Sequence, residues 1–209
     1  MLFVNRNMKT TCIFGKNSTI CQNLLPKLEN YDAYDSTEFD VTNFEKIFSY
    51  DFSKYHTVIN FAGHSKGSYK SPIENNWQNY ENQIQVNFIS NVMLAKKFLH
   101  DNKNGRYLWF SSILTKNCRP YQSVYGASKL ATEYVFDKWS IEYPTFKFIN
   151  IRLGRTKTNH LFNTFEGLKD YKDVEKEYQQ SPYLKPDFVA RKLLQYLDTE
   201  KTITVDLFP

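Results

Sequence analysis

The sequence predicts a single α/β domain in which a doubly wound, mainly parallel sheet is covered by helices on both faces. Short apolar runs alternate with helical patterns along the chain, and this alternation is typical of a parallel sheet between two helical layers. The 209 residues match the size of one domain and are enough to bury a core without disulfides or metals.

Each strand is predicted from a short apolar run that ends at a turn-forming or polar residue. The first run, Thr10–Phe14, ends at Gly15. The predicted strands are residues 10–14, 31–34, 56–61, 106–110, 146–151 and 202–205.

Each helix is predicted from apolar residues three and four positions apart. The first follows Ser18, a candidate N-cap, and Pro26 is expected to kink or shorten it. Residues 163–186 are poorly periodic, which fits a mobile substrate-covering loop and a functionless surface excursion equally well. The predicted helices are residues 18–28, 41–48, 76–100, 123–139 and 189–197.

Composition limits the partners. The net charge is +5 and the basic residues are scattered, which favours a solvated surface over a nucleic-acid groove. No apolar run approaches the roughly 18 residues of a membrane span, and the apolar start is too short for a secretion signal, so a cytoplasmic protein is expected. Residues 1–8 are expected to form a disordered lead-in to a domain of residues 9–209.

Metal and disulfide chemistry are not expected. The cysteines, Cys12, Cys21 and Cys118, are odd in number and widely spaced, which indicates reduced thiols rather than a disulfide framework or a zinc site. The four histidines show no metal-ligand spacing either.

Tyr125 and Lys129 are the first candidates for chemistry. They stand four residues apart, which places them on one helix face. A nearby cation favours a phenolate and lowers the pKa of a tyrosine from its usual 10 or so, so such a tyrosine can exchange a proton with a substrate oxygen. Ser112 ends the preceding strand, at the edge where open α/β sheets bind ligands, and the 13 residues to Tyr125 let its hydroxyl return beside the phenol.

The order of these residues resembles the short-chain dehydrogenase/reductase family. Tyr125-Gly-Ala-Ser-Lys129 is similar to that family's YxASK motif, and Ser112 matches its catalytic serine. Asn60-Phe-Ala-Gly63 resembles its NNAG segment, Asn87 its asparagine on the long central helix, and Leu153–Thr158 its PGxVxT stretch. The resemblance covers nearly the whole chain and implies a Rossmann-like fold.

The resemblance also implies roles. Tyr125 would be the general acid/base, Lys129 would lower the pKa of Tyr125 and bind the nicotinamide ribose, and Ser112 would orient the substrate oxygen. Asn87 would support a water in a proton relay, and Thr158 would contact the nicotinamide carboxamide. The implied reaction interconverts a carbonyl and an alcohol by hydride transfer with NAD or NADP, in a homodimer or homotetramer.

The first loop departs from the family's glycine-rich turn. Gly15 is kept, but Ser18 or Thr19 stands at the middle glycine and Cys21 at the last. Since these glycines admit the pyrophosphate and allow close helix packing, either the small side chains are tolerated or the cofactor binds weakly. The helix N-terminus would still attract phosphate. The predicted cofactor contacts are Gly15, Lys16, Asn17, Ser18, Thr19, Ile20, Asp35, Asp40, Val41, Asn60, Ala62, Gly63, Lys129 and Thr158.

Asp35 bears on the choice of cofactor. It lies 20 residues after Gly15, where an acid can hold the adenosine ribose hydroxyls and repel a 2′-phosphate, which weakly favours NAD over NADP. A solvated aspartate in a turn explains the same residue equally well. Lys16 could reverse this preference by receiving that phosphate. Asp40-Val41 resembles the family's pair near the adenine, and only five residues separate Asp35 from Asp40, so the usual second strand–helix unit is expected to be trimmed.

Three functions are compatible with the sequence. The leading one is the oxidoreductase described above, acting on a small carbonyl/alcohol pair. A non-catalytic dinucleotide-sensing or scaffold protein is the second, because the glycine loop is altered. A sugar-nucleotide reductase or epimerase is the third, because Glu133 and the trimmed unit resemble the sugar-nucleotide branch, whereas the spacing of Ser112 and Tyr125 resembles the classical branch.

Overall fold

The computed structural model describes residues 11–68, 70–117, 119–158 and 182–209. The predicted lead-in of residues 1–8, Cys118 and most of the poorly periodic stretch 163–186 lie outside the described residues. Six strands are described: β1 (Thr11–Phe14), β2 (Tyr31–Tyr34), β3 (Thr57–Asn60), β4 (Gly105–Ser112), β5 (Phe146–Leu153) and β6 (Ile203–Leu207).

These strands form one parallel sheet in the order β2-β1-β3-β4-β5-β6. In the described part of the chain β2 is therefore an edge strand, and the chain passes from it through one short helix to β3 on the other side of β1. The trimmed second unit expected from the spacing of Asp35 and Asp40 is confirmed.

The helices lie where the periodicity predicts them, with shifted ends. Asn43 accepts a hydrogen bond from the backbone N of Lys46 and so starts the second helix later than predicted. Pro26 follows the first helix in a single 3-10 turn, as predicted, whereas Ser18 makes no capping bond with its side chain. The helices are α1 (Thr19–Leu24), α2 (Phe44–Ser49), α3 (Trp77–Ile84), α4 (Ser90–Asp101), α5 (Ser123–Glu142) and α6 (Pro186–Leu194).

Alternate residues of each strand pack against opposite helical layers, which confirms the doubly wound fold. In β4, Tyr107 and Trp109 belong to a core with Leu94 of α4 and Phe136 of α5. Leu108 between them belongs to a second core, on the side of α1 and α6. This period of two is the strand geometry that buries both faces of a parallel sheet.

Helices α3 and α4 are joined by a π-helical segment, Gln85–Ile89, into one continuous helical stretch. The segment contains Asn87, which is fully buried. π-Helical turns are rare and are frequently found at functional sites. Among the described helices, none combines the length and apolar character required to cross a membrane.

Candidate active site

A cavity of about 680 Å³ runs along the carboxyl ends of the strands. Its lining follows the order of the sheet, from the loop after β2, through those after β1 and β3, to the ends of β4 and β5. This edge is where ligands bind in open α/β sheets.

The turn after β1 is built for close approach. Gly15 has φ of 80°, and a Cβ there would lie 2.9 Å from the backbone N of Ala62. Cys21, at the position of the last glycine, is fully buried in the core between α1, α6 and the sheet, so its side chain is accommodated away from the cavity. Ser18 and Thr19 line the cavity without filling it. The turn therefore fits a dinucleotide.

The loop after β2 is held by Asp35. Its Oδ1 accepts hydrogen bonds from Thr37 Oγ1 at 2.6 Å, Thr37 N at 2.9 Å and Glu38 N at 3.1 Å. These bonds, led by that of the Thr37 hydroxyl, lower the pKa of Asp35 to about 2. Lys16 pairs with two acids of this loop, because its Nζ lies 2.5 Å from Glu38 Oε2 and 3.8 Å from Asp35 Oδ2.

Tyr125 and Lys129 both line the cavity, as does Ser112 at the end of β4. Lys129 is 4% exposed, and its Nζ donates a hydrogen bond of 2.9 Å to the backbone O of Phe110. The same Nζ lies 5.8 Å from the ring centre of Tyr125. Burial lowers the pKa of Lys129 to about 7, because removal from water disfavours the ammonium form.

Asn87 lies behind this group rather than on the cavity wall. Its Nδ2 donates to the backbone O of His64 at 2.8 Å and to Ser128 Oγ at 3.2 Å, and its Oδ1 accepts from the backbone N of His64 at 2.9 Å. A Cβ at Gly63 would lie 3.6 Å from Asn87 Oδ1 and 3.7 Å from Lys129 Nζ. Asn87 thus fixes the loop after β3 next to Lys129.

A buried ion pair supports the end of β4. Glu133 of α5 is 3% exposed and accepts from Ser111 Oγ, Thr115 Oγ1 and, with both oxygens, the guanidinium of Arg152. Burial alone would raise the pKa of Glu133, but the hydrogen bonds of Arg152 and Ser111 outweigh it and lower that pKa. The pair joins α5, which carries Tyr125, to β4 and β5.

Most of the predicted site residues meet in the cavity, and three do not. Lys16 pairs with Glu38, Asn87 supports the loop of residue 64, and Asn60 holds the end of β3 through Asn91 Oδ1 and the backbone N of Ala62. The predicted residues on the lining are Gly15, Asn17, Ser18, Thr19, Ile20, Asp35, Asp40, Val41, Ala62, Gly63, Ser112, Tyr125, Lys129 and Thr158.

The cavity is also lined by residues that the sequence did not predict. His64, Arg119, Gln122 and Arg155 line the same cavity as Tyr125. Two of them had a local signal: His64 directly follows the Asn60–Gly63 segment, and Gln122 is a polar residue just before the helix of Tyr125. The arginines had none, because only the folded loops bring them to the sheet edge.

Comparisons with known proteins agree with this geometry. The family model described as short chain dehydrogenase matches residues 3–168. No curated protein matches the chain in sequence at a significant level.

Solved structures share the fold at low identity. A small-chain dehydrogenase in complex with NADPH superimposes with a TM-score of 0.79 at 18% identity, over 95% of this chain and 96% of that chain. A short chain dehydrogenase from Burkholderia cenocepacia J2315 in complex with NADP gives 0.77 at 17% identity, over 96% and 88%. An alcohol dehydrogenase from the archaeon Thermococcus sibiricus complexed with 5-hydroxy-NADP gives 0.70 at 20% identity, over 95% of each chain.

Proposed function

Because the chain belongs to the short-chain dehydrogenase family and is an NAD(P)-dependent oxidoreductase, we propose that it interconverts a carbonyl and an alcohol with Tyr125 as the acid/base group. The observation that carries the proposal is the convergence of Tyr125, Lys129 and Ser112 on one cavity at the carboxyl ends of the strands.

The dinucleotide lies along the cavity in this proposal. Gly15 and Asn17–Ile20 face its pyrophosphate, with Gly15 close to Ala62 as a tight turn requires. Asp35 and Asp40, at the other loop, face the adenosine ribose. The bound nicotinamide supplies or accepts the hydride.

The chain itself handles the proton. The phenol of Tyr125 gives its proton to the carbonyl oxygen during reduction and takes a proton from the alcohol during oxidation. Lys129, held by the backbone O of Phe110, stabilises the phenolate in its ammonium form. Ser112 orients the substrate oxygen, and Asn87 keeps the loop of Gly63 against Lys129.

Cofactor choice is a finer part of the proposal. The preference for NAD expected from Asp35 has no support from the similar structures, whose bound dinucleotides are NADPH, NADP and 5-hydroxy-NADP. Asp35 and Glu38 nevertheless place two carboxylates around the one ammonium of Lys16. We retain NAD as the preferred cofactor on this charge balance.

Tyr125→Phe tests the acid/base role. We expect turnover of NADH with a panel of small aldehydes and ketones to fall at least about 100-fold, since acid/base catalysis contributes about 10²–10⁴-fold, while the Kd for NADH and the thermal midpoint stay unchanged. Tyr143→Phe is the control, because Tyr143 is an exposed tyrosine at the C-terminal end of the same helix. Full activity in the Tyr125→Phe protein would refute the acid/base role of Tyr125. If the unaltered protein bound NADH tightly but turned over none of the carbonyl compounds, the non-catalytic sensor would be favoured.

We also propose that the chain acts as a homodimer or homotetramer. Leu130, Tyr134 and Ile141 are exposed along α5, and their spacing places them on one side of that helix. Light scattering coupled to size exclusion should give a mass of two or four chains, and a monomer at micromolar concentration would refute this assembly.

A further inference from the structure

The two ends of the cavity carry opposite charge. Its acidic residues, among those described, are Asp35 and Asp40, which follow β2. Arg119 and Arg155 belong to the segments that follow β4 and β5, on the opposite side of the sheet order from β2. Tyr125 also follows β4 in the chain and lines the cavity, so the end at which the substrate would react is the end that carries arginines.

Gln122 adds a second observation at the same end. It is 5% exposed and lines the cavity, yet its Oε1 has no hydrogen-bond partner within the described part of the chain. Its own backbone O accepts from the backbone N of Gly126 at 2.9 Å, which fixes the residue three positions before Tyr125. A buried amide oxygen left unpaired is unfavourable, so a ligand that donates a hydrogen bond to it is favoured.

His64 offers a further polar atom. Its Nε2 is buried and has no partner among the described residues, although Asn87 holds its backbone from both sides. Burial, with a smaller effect of Lys66, lowers the pKa of His64 below 6.5. The imidazole therefore adds no positive charge at pH 7, and the positive charge at this end comes from the arginines.

We propose that the substrate is a carbonyl or alcohol compound that carries an anionic group, either a carboxylate or a phosphoryl group, which Arg119 binds. Gln122 Oε1 accepts a hydrogen bond from a donor group of the same substrate, and His64 Nε2 hydrogen-bonds another of its polar atoms. This inference rests on the proposed function, because it names the substrate class of the same cavity. A guanidinium matches the planar geometry of a carboxylate or phosphoryl group with two parallel donors. Among the described lining residues no carboxylate stands at this end to oppose such a group.

Two isosteric probes test the charge of the substrate. 4-Formylbenzoate carries a carboxylate where 4-formylbenzamide carries a neutral amide. Their Kd values are measured by calorimetry on the protein loaded with NAD⁺, and kcat/KM is measured with NADH. In the unaltered protein we expect the carboxylate to bind at least tenfold more tightly than the amide.

Variants then assign the preference to residues. In Arg119→Gln the ratio of the two Kd values should fall below threefold while the Kd for NAD⁺ is unchanged. Gln122→Glu, which keeps the size of the side chain and adds a negative charge, should weaken the carboxylate probe more than the amide probe. Arg191→Gln is the matched control, because Arg191 is an exposed arginine of α6 that pairs with Asp187, and it should keep the ratio.

The outcomes separate the two proposals. Failure to bind either dinucleotide would contradict the proposed function. Dinucleotide binding with equal affinity for the two probes would overturn only the anionic substrate. The anionic substrate would also be overturned if the ratio of the two probe Kd values were unchanged in Arg119→Gln. If that variant kept the ratio but lost affinity for NAD⁺, Arg119 would bind the pyrophosphate of the cofactor instead of the substrate.

Discussion

Lys16 and Glu38 form an ion pair of 2.5 Å between Nζ and Oε2 at the loop that follows β2. Glu38 Oε2 also accepts from the backbone N of Asp35 at 3.1 Å, which keeps both carboxylates near one ammonium. Together the three side chains carry one negative charge, from two carboxylates and one ammonium. The lysine that could receive a 2′-phosphate is therefore already engaged.

Glu38→Gln should shift cofactor preference toward NADPH. The amide can still accept from Asp35 N, but the local charge becomes neutral and Lys16 is free to meet a phosphate of about −2 charge. We expect the ratio of Kd for NADPH to Kd for NADH to fall at least fivefold, measured by fluorescence titration. Glu45→Gln, an exposed acid of α2, controls for net charge, and an unchanged ratio in Glu38→Gln would contradict the role of this pair.

Gly15→Ala should destabilise the protein. The φ of 80° disfavours any side chain, and the new Cβ would lie 2.9 Å from Ala62 N, so we expect a loss of at least about 1–2 kcal/mol in the free energy of unfolding. Urea unfolding measures it. Gly126→Ala is the control, because its Cβ would meet Leu114 O at an ordinary 3.5 Å within a helix, and it should be neutral or stabilising. Equal stability of the two variants would show that the turn is not strained.

The local elements of this fold are predictable from sequence because each depends on neighbouring residues. The apolar run before Gly15 is a local signal that predicts the end of β1. The short spacing of Asp35 and Asp40 is another, and it predicts the shortened strand–helix unit after β2. Helix ends were less predictable, since Asn43 determines the start of α2 by one side-chain hydrogen bond.

The organisation of the site is less predictable because it depends on contacts between distant residues. The position of Lys16 predicts a cofactor contact, but in the structure Lys16 forms an ion pair with Glu38, which lies 22 residues later in the chain. Asn87 is predicted as a site residue, yet only the structure shows that it holds the loop of His64. No periodicity encodes such pairings.

Glu133→Gln should weaken both stability and catalysis. Glu133 is 3% exposed and pairs with Arg152, and removing one partner of a buried ion pair costs roughly 3–5 kcal/mol. Because Glu133 also holds Ser111, the adjacent Ser112 should lose its position, so we expect kcat to fall more than the affinity for NADH. Urea unfolding and steady-state kinetics measure the two effects.

Asp137→Asn is the control for Glu133, since Asp137 is an exposed acid one helical turn later on α5. We expect Asp137→Asn to leave both the free energy of unfolding and kcat almost unchanged. If Glu133→Gln lost stability while kcat was preserved, the ion pair would be structural and would not position Ser112.

Lys129 should make stability depend on pH. Its pKa is 10.5 when exposed and about 7 in the folded protein, so between these values the unfolded chain binds a proton that the folded chain does not. The free energy of unfolding therefore rises with pH across this window, by up to about 1.4 kcal/mol per pH unit. The destabilising effect is complete below pH 7 and absent above pH 10.5.

Lys129→Met removes this titration and keeps the length of the side chain. The variant should be more stable than the unaltered protein at pH 7, and the difference should shrink in urea unfolding at pH 8 and pH 9. Lys138→Met, on the exposed side of the same helix, is the matched control and should not reproduce the gain in stability expected of Lys129→Met at pH 7. A gap for Lys129→Met that did not shrink between pH 7 and pH 9 would contradict this prediction, because it would mean that the pKa of Lys129 is not lowered in the folded protein.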